Sequence, residues 1–258
     1  MIIRPHKFDR GNIYLSGGMQ YAKDLGAQWR IDASEALRSM QYFPLDITEL
    51  DVAYSKDHGG LFTPTDRSKH LEFKSDIRKH FIQTDLNLIQ NMTDAIVIYY
   101  DESVRLGAGT VSECQFAYNL NMPVFLVCDY PDMFKEVPGW LQGLTTKMFQ
   151  TFDELYAYLG ALPHGILRKD LYGNHRSGDQ YLCSLCGECF GKRKHLFVSQ
   201  VSPLYCKSCV EVVSNTNESH KNRYEFFMEY LRSGAAAQSD GAGDGMAFDY
   251  HSTNHRRG

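Results

Sequence analysis

Two carboxylates and a set of thiols are the residues whose surroundings in this sequence point to chemistry. On a wheel of 100° per residue, Ile77, Phe81, Ile82, Leu88, Ile89 and Met92 share one broad side of a helix, and Asp85 falls in its middle. A buried carboxylate without a partner is costly. Asp85 is therefore expected either to bond a nearby backbone amide or arginine, or to point into a ligand site. Glu113 follows Gly107-Ala108-Gly109-Thr110 and reads as part of the first turn of a helix. There the helix dipole favours the ionised form by about 0.3–1 kcal/mol. An ionised carboxylate at a strand end can serve as a nucleophile, or it can simply complement the helix start. The glycine-rich loop before it can hold a phosphate on its amides or merely turn the chain.

The thiols are a separate case. Cys183-Ser184-Leu185-Cys186-Gly187 and Cys206-Lys207-Ser208-Cys209 are two C-x2-C knuckles separated by 19 residues. Four thiolates at that spacing, Cys183, Cys186, Cys206 and Cys209, can close a tetrahedral zinc site, and Gly187 permits the tight turn. Such a site leaves no open coordination position, so the zinc is expected to be structural. Cys186-x2-Cys189 is also a legal knuckle; Cys189 is assigned as a spare thiol. Gly191-Lys192-Arg193-Lys194-His195 could contact nucleic-acid phosphates, but one short basic run makes few such contacts. A brace or oligomer contact is the favoured role for this unit.

The elements that must position these groups alternate between strand and helix. Asn12 to Leu15 reads as a strand stopped at Ser16-Gly17-Gly18, and Gln41 to Pro44 as a second. Between them Trp29, Ala33, Ala36, Leu37 and Met40 recur at helical spacing, with Arg30, Asp32, Glu35 and Arg38 expected on the other face. Residues 45 to 74 show no clear period and read as a long loop. Ser75 can cap a helix running to about Met92. Ala95 to Tyr100 and Val124 to Cys128 are continuous apolar runs, the mark of strands covered on both faces. A last strand is expected near Met148, with Thr151 capping the helix after it. This alternation implies an α/β fold, a doubly wound parallel sheet of the Rossmann or flavodoxin-like kind, with a small C-terminal zinc-binding domain. The division expected is 1–163 for the α/β domain, 164–180 for a linker, and 181–233 for the zinc unit. The last of these includes a helix striped by Tyr224, Phe227, Met228 and Leu231. Residues 234–258 form a tail rich in Gly, Ala, Ser, Asp and His that is too poor in apolar residues to order itself.

Composition narrows the function classes. A chain of 258 residues with 43% hydrophobic residues can bury a core. A formal charge of −4, from 27 basic and 31 acidic side chains, argues against coating nucleic acid over the whole surface. No apolar run approaches the ~20 residues of a membrane span, and Met1 to His6 does not begin a signal peptide, so a cytoplasmic location is expected. The seven cysteines would then be reduced, free for metal or chemistry.

Ile13-Tyr14-Leu15-Ser16-Gly17-Gly18-Met19, Phe43-Pro44-Leu45-Asp46, Thr84-Asp85-Leu86-Asn87-Leu88-Ile89 and Gly109-Thr110-Val111-Ser112-Glu113 occur in that order. With Asp94-Ala95-Ile96-Val97 and the Ala117…Pro123-Val124 ending, they resemble the nucleoside 2-deoxyribosyltransferase family over about residues 10 to 160. The resemblance extends to related hydrolases of deoxynucleoside monophosphates. It implies Glu113 as the nucleophile at C1′ of the deoxyribose, Tyr14 as the group that orients it, and Asp85 as the residue that contacts the sugar or the base and helps protonate the departing base. Ser16, Gly17, Asp46, Asn87, Asp101 and Gly109 follow as substrate-binding candidates. The substrates implied are a deoxynucleoside or deoxynucleotide and a free nucleobase, handled by a homo-oligomer. One departure leaves two readings open. Where the transferases carry an acidic residue for the sugar 5′-hydroxyl, this chain reads Glu102-Ser103-Val104-Arg105-Leu106-Gly107. Ser103 and Arg105 would suit a 5′-phosphate, whereas Arg105 as a solvated loop residue would not bear on it. Transfer, hydrolysis of a monophosphate, and binding without turnover are the alternatives that remain.

Overall fold

A computed structural model describes residues 8–57, 70–169, 174–191, 195–196 and 205–212. The Tyr224–Leu231 stripe, the tail, the Met1–His6 start and Lys192 to Lys194 of the basic run lie outside the described residues. The chain runs β1 (Gly11–Gly17), α1 (Ala27–Ser39), β2 (Tyr42–Leu45), α2 (Thr48–Asp57), α3 (His70–Asp76), a π-helical stretch (Ile77–Ile82) and α4 (Gln83–Met92). It continues with β3 (Ala95–Tyr99), α5 (Glu102–Leu106), α6 (Gly109–Asn119), β4 (Val124–Val127), α7 (Met133–Glu136), α8 (Gly139–Leu144), β5 (Lys147–Phe149) and α9 (Phe152–Ala161). All five strands pair in parallel, in the order β2-β1-β3-β4-β5.

Why these segments choose this arrangement is visible in the alternation along each strand. Ile13, Leu15, Val97, Phe125 and Val127 pack on one face with Ala33 and Leu37 of α1 and Leu155 and Leu159 of α9. Tyr14, Ile96, Ile98, Val124 and Leu126 pack on the other with Ile89 of α4, Cys114 and Ala117 of α6, and Leu141 of α8. With both faces covered, every strand must be apolar on both sides, hence the uninterrupted runs. Strand order reverses between β1 and β3, and ligands of open α/β sheets bind at that point, beyond the carboxyl ends of the strands.

Three local expectations are corrected. The segment 45 to 74 is not loop throughout: α2 occupies Thr48–Asp57, opened by Asp46, whose Oδ1 accepts the Thr48 N–H at 2.9 Å. Ser75 does not cap a helix, because helix begins at His70 and Ser75 lies inside α3. Arg30 does not sit on the exposed face of α1. With Ala33, Ser34 and Leu37 it forms an i, i+3, i+4, i+7 buried stripe.

Three described residues of the segment read as a linker pack against the α/β layers. Ile166 and Leu167 join the core beneath α1 and α9. His175 is buried between the carbonyls of Leu167 and Asn121, at 2.7 and 3.0 Å from its ring nitrogens. Beyond it β6 (Arg176–Ser177), β7 (Gln180–Leu182) and β8 (Cys189–Gly191) make a three-stranded antiparallel sheet. β9 (His195–Leu196) pairs antiparallel with β10 (Tyr205–Cys206). Leu182 packs into the core of the α/β layers, and Lys147 of β5 bonds Glu188 at 2.7 Å. Of residues 211–258, Glu211 and Val212 alone are described.

Candidate active site

β1 carries Tyr14 and Ser16 on the face turned toward α4 and α6, two residues apart as the pleat requires. Both are nearly inaccessible, at 2% and 1% exposure. Glu113 reaches them from α6. The Ser16 hydroxyl donates to Glu113 Oε2, and the Tyr14 hydroxyl donates to Oε1 at 3.4 Å. Asp85 arrives from α4 and shares a hydrogen bond with Glu113, while its Oδ1 is buried without a partner. Four residues from three separate elements thus converge at the switch point of the sheet.

The π-helical stretch contributes to this. Its wider turn changes the phase of the helix, so the 100° wheel does not carry across it: Phe81 is buried, Ile82 is 49% exposed, and Asp85 begins the stripe that Leu88, Ile89 and Met92 continue.

The helix starts at Gly109, so Glu113 is its fifth residue rather than part of the first turn. The macrodipole therefore does less than expected, since it fades within a turn. Burial dominates and pushes the Glu113 carboxyl up. Hydrogen bonds from Ser16, Tyr14 and Asp85 and the charge of Arg30 pull in the other direction. Asp85 is pushed up first by burial, then by the Glu113 and Asp51 charges, with Arg30 the one opposing influence. The Ser16 and Tyr14 hydroxyls favour the ionised form of Glu113, whereas the charges beside Asp85 disfavour its ionised form, so a single proton on the pair sits on Asp85. Burial and the surrounding carboxylates also push Tyr14 far up, so it stays a neutral donor.

Two residues of this centre escape the sequence periodicity. Arg30, 3% exposed, donates from Nη1 to Gly26 O and from Nη2 to Gly17 O, both at 2.8 Å, and from Nε to Leu15 O at 3.3 Å. Its charge offsets those of Asp46, Glu113 and Asp51. The i, i+3, i+4, i+7 pattern from Arg30 was a usable signal, masked by the expectation that arginine faces water. Asp51, on α2 and 7% exposed, is pushed up to about 7 by burial and then by Glu113, against Arg30. Little in the weakly amphipathic α2 announces it.

Because Asp51 binds its proton more tightly folded than unfolded, its protonation favours the fold. That contribution is complete below about pH 4 and is lost as pH rises to about 7. Asp51→Asn is expected to flatten this slope: it should melt above the wild type at pH 8, with the gap narrowing at pH 5. Thermal unfolding at both values checks it, and an equal gap at both would remove Asp51 from the account.

The remaining candidates separate. Gly17 ends β1 and offers its carbonyl to Arg30. Gly18 passes so close to α5 that a Cβ there would meet the Ser103 backbone carbon at 2.9 Å. Asp101 caps α5, accepting from the N–H of Ser103 at 2.9 Å and of Val104 at 3.2 Å, and from the Ser103 hydroxyl. Asp101 and Ser103 line a groove of about 430 Å3 with Trp29 and Tyr99 at the same strand ends. Arg105 is half-exposed and pairs with Glu102 at 3.2 Å and Glu136 at 3.6 Å. Asn87 and Gly109 are exposed, and neither joins the carboxylate centre.

In the cysteine unit, the Sγ atoms of Cys183, Cys186, Cys206 and Cys209 all lie within 4.8 Å of one another, and Cys186 and Cys206 are 3.8 Å apart. Zinc–sulfur bonds of ~2.3 Å in a tetrahedron set sulfurs about 3.8 Å apart, so the four fit such an ion. Gly187 turns the first knuckle at φ +73° and returns its N–H to Cys183 O at 2.9 Å. The Cys206 N–H points at Cys183 Sγ at 3.3 Å. Cys189 stands on β8, outside the cluster and against the main core. Cys206→Ser is expected to abolish metal retention and to lower the unfolding midpoint by about 5 °C or more. Elemental analysis and calorimetry on the same samples check it; equal midpoints would show that no metal holds this unit.

No protein-family model matches the chain, and a search of curated proteins finds no match either. Among solved structures, the chain is similar to a 2-deoxyribosyltransferase from the psychrotolerant bacterium Bacillus psychrosaccharolyticus. The identity is 14% and the TM-score 0.40, over 57% of this chain and 95% of that one.

Proposed function

We propose that this protein breaks the N-glycosidic bond of a 2′-deoxynucleoside or its monophosphate through a covalent ester on Glu113. The observation that carries the reading is the carboxyl pair: Glu113, accepting from Ser16 and Tyr14, faces Asp85, whose Oδ1 is buried without a partner. With Glu113 ionised and Asp85 holding the proton, the pair supplies a nucleophile and an acid. The order of the sequence motifs supports the same assignment.

A substrate entering between the two carboxyls replaces their mutual hydrogen bond. A Glu113 oxygen then donates an electron pair to C1′. The C1′–N pair leaves with the base, and the base nitrogen takes the Asp85 proton. In the second half, water or another base attacks C1′, the ester C–O bond returns its pair to Glu113, and the incoming group gives its proton to Asp85. Two displacements at one carbon retain configuration. The four-cysteine cluster holds a structural zinc on this reading and takes no part in these steps.

The test is incubation with each deoxynucleoside and each monophosphate, with and without a different free base, followed by mass spectrometry. Base exchange marks a transferase and base release alone a hydrolase. Neither product across all substrates would leave a binding module and overturn the reading.

A further inference from the structure

Ser16 is more than a wall of the site. Its side chain is 1% exposed, so its hydroxyl cannot look to bulk water for a partner, and it donates to one named oxygen of Glu113. The two carboxylate oxygens have different partners: Oε2 accepts from the Ser16 hydroxyl, and Oε1 from Tyr14 at 3.4 Å, a long contact that an incoming substrate can displace. A carboxylate oxygen held by a charge-assisted hydrogen bond is the poorer nucleophile. We propose that Ser16 is a positioning residue that ties down Oε2 of Glu113 and so selects Oε1 as the oxygen that attacks.

Strand geometry makes this possible. Tyr14 and Ser16 lie on the same face of β1, and that face is pinned from the other side by Arg30, which bonds the carbonyls of Leu15 and Gly17. The hydroxyl is therefore delivered by the rigid sheet rather than by a loop. In place of an electrophile, it contacts the nucleophile, so its removal is felt in the ionisation and aim of Glu113 rather than in substrate affinity. The kinetic half of this proposal rests on the glycosidic reading above; the ionisation half does not.

The test uses the full chain carrying 13C-labelled glutamate. In Ser16→Ala the Glu113 carboxyl is expected to titrate about one to two pH units higher than in the wild type, the loss of one charge-assisted hydrogen bond. The acid limb of kcat/KM should move up with it. On its plateau, kcat is expected to fall about tenfold or more, with KM changed less than about twofold. Ser16→Cys, close in size but a weak donor, should give a smaller shift in the same direction, and it serves if the alanine variant does not fold. A Glu113 titration unmoved in both variants would overturn the proposal. So would unchanged kcat alongside increased KM. If the wild type releases no base, the glycosidic reading falls while the titration still decides the role of Ser16.

Discussion

Glu113→Gln is expected to lower base release or exchange by at least about 10³-fold while leaving the fold intact. Glutamine keeps the volume and one oxygen able to accept from Ser16 or Tyr14, so the core around α6 need not move. What disappears is the charge and the capacity to form the ester. Losing a nucleophile removes the covalent route itself, and residual turnover then rests on binding and solvent attack alone. The uncharged side chain also relieves Asp85 and Asp51, both pushed up in part by the Glu113 charge, so each should titrate lower in the variant. Single-turnover kinetics with a mass-spectrometric search for the glycosyl-enzyme ester provide the check. Turnover within tenfold of the wild type, or an ester on another residue, would remove Glu113 as nucleophile.

The second large effect is expected from Asp85→Asn, a fall of about 10²–10⁴-fold through loss of the proton donor. Its size should depend on the leaving group. Bases that depart easily as anions, or that already carry a positive charge, need little protonation and should be cleaved by the variant almost as fast as by the wild type. The pH profile offers a separate check. On the proposed mechanism the wild type requires Glu113 ionised and Asp85 protonated, so the alkaline limb would belong to the pair's last proton. Asparagine has no proton to lose, and that limb should vanish while the acid limb persists. An equal loss for every base, with the alkaline limb intact, would make Asp85 a sugar contact instead of an acid.

Much of the architecture was legible because periodicity reports burial. Ala95 to Tyr99 and Val124 to Val127 are apolar throughout because helices cover both faces of their sheet. Thr151 caps α9 by accepting from the Glu154 N–H at 3.2 Å, a local event written in neighbouring residues. Asp85 stood out because an acid on an apolar face is a contradiction that some site must resolve. Arg30 and Asp51 did not stand out. A charged residue on a helix is by default a solvated one, and the cluster that neutralises Arg30 draws on Asp46 just past β2, on α2 and on α6 at once. Ser75 illustrates the opposite error: a residue well suited to capping lies within a helix because the chain before it is already helical.

By itself the sequence determined the parallel α/β sheet, the cysteine quartet by its spacing, and Asp85 and Glu113 as the residues to watch, with Tyr14 added by the family resemblance alone. Sheet, quartet and carboxylates depend on local pattern, on periods of two and 3.6, and on ligand spacing, all of which one segment can display. The tertiary structure alone decided that Glu113 owes its ionisation balance to burial and to Ser16, Tyr14, Asp85 and Arg30 rather than to its helix dipole. It alone showed which carboxylate oxygen each hydroxyl holds. The reason is physical. The charge state of a buried acid is a sum over neighbours brought together from distant segments, and no segment carries that sum in its own residues.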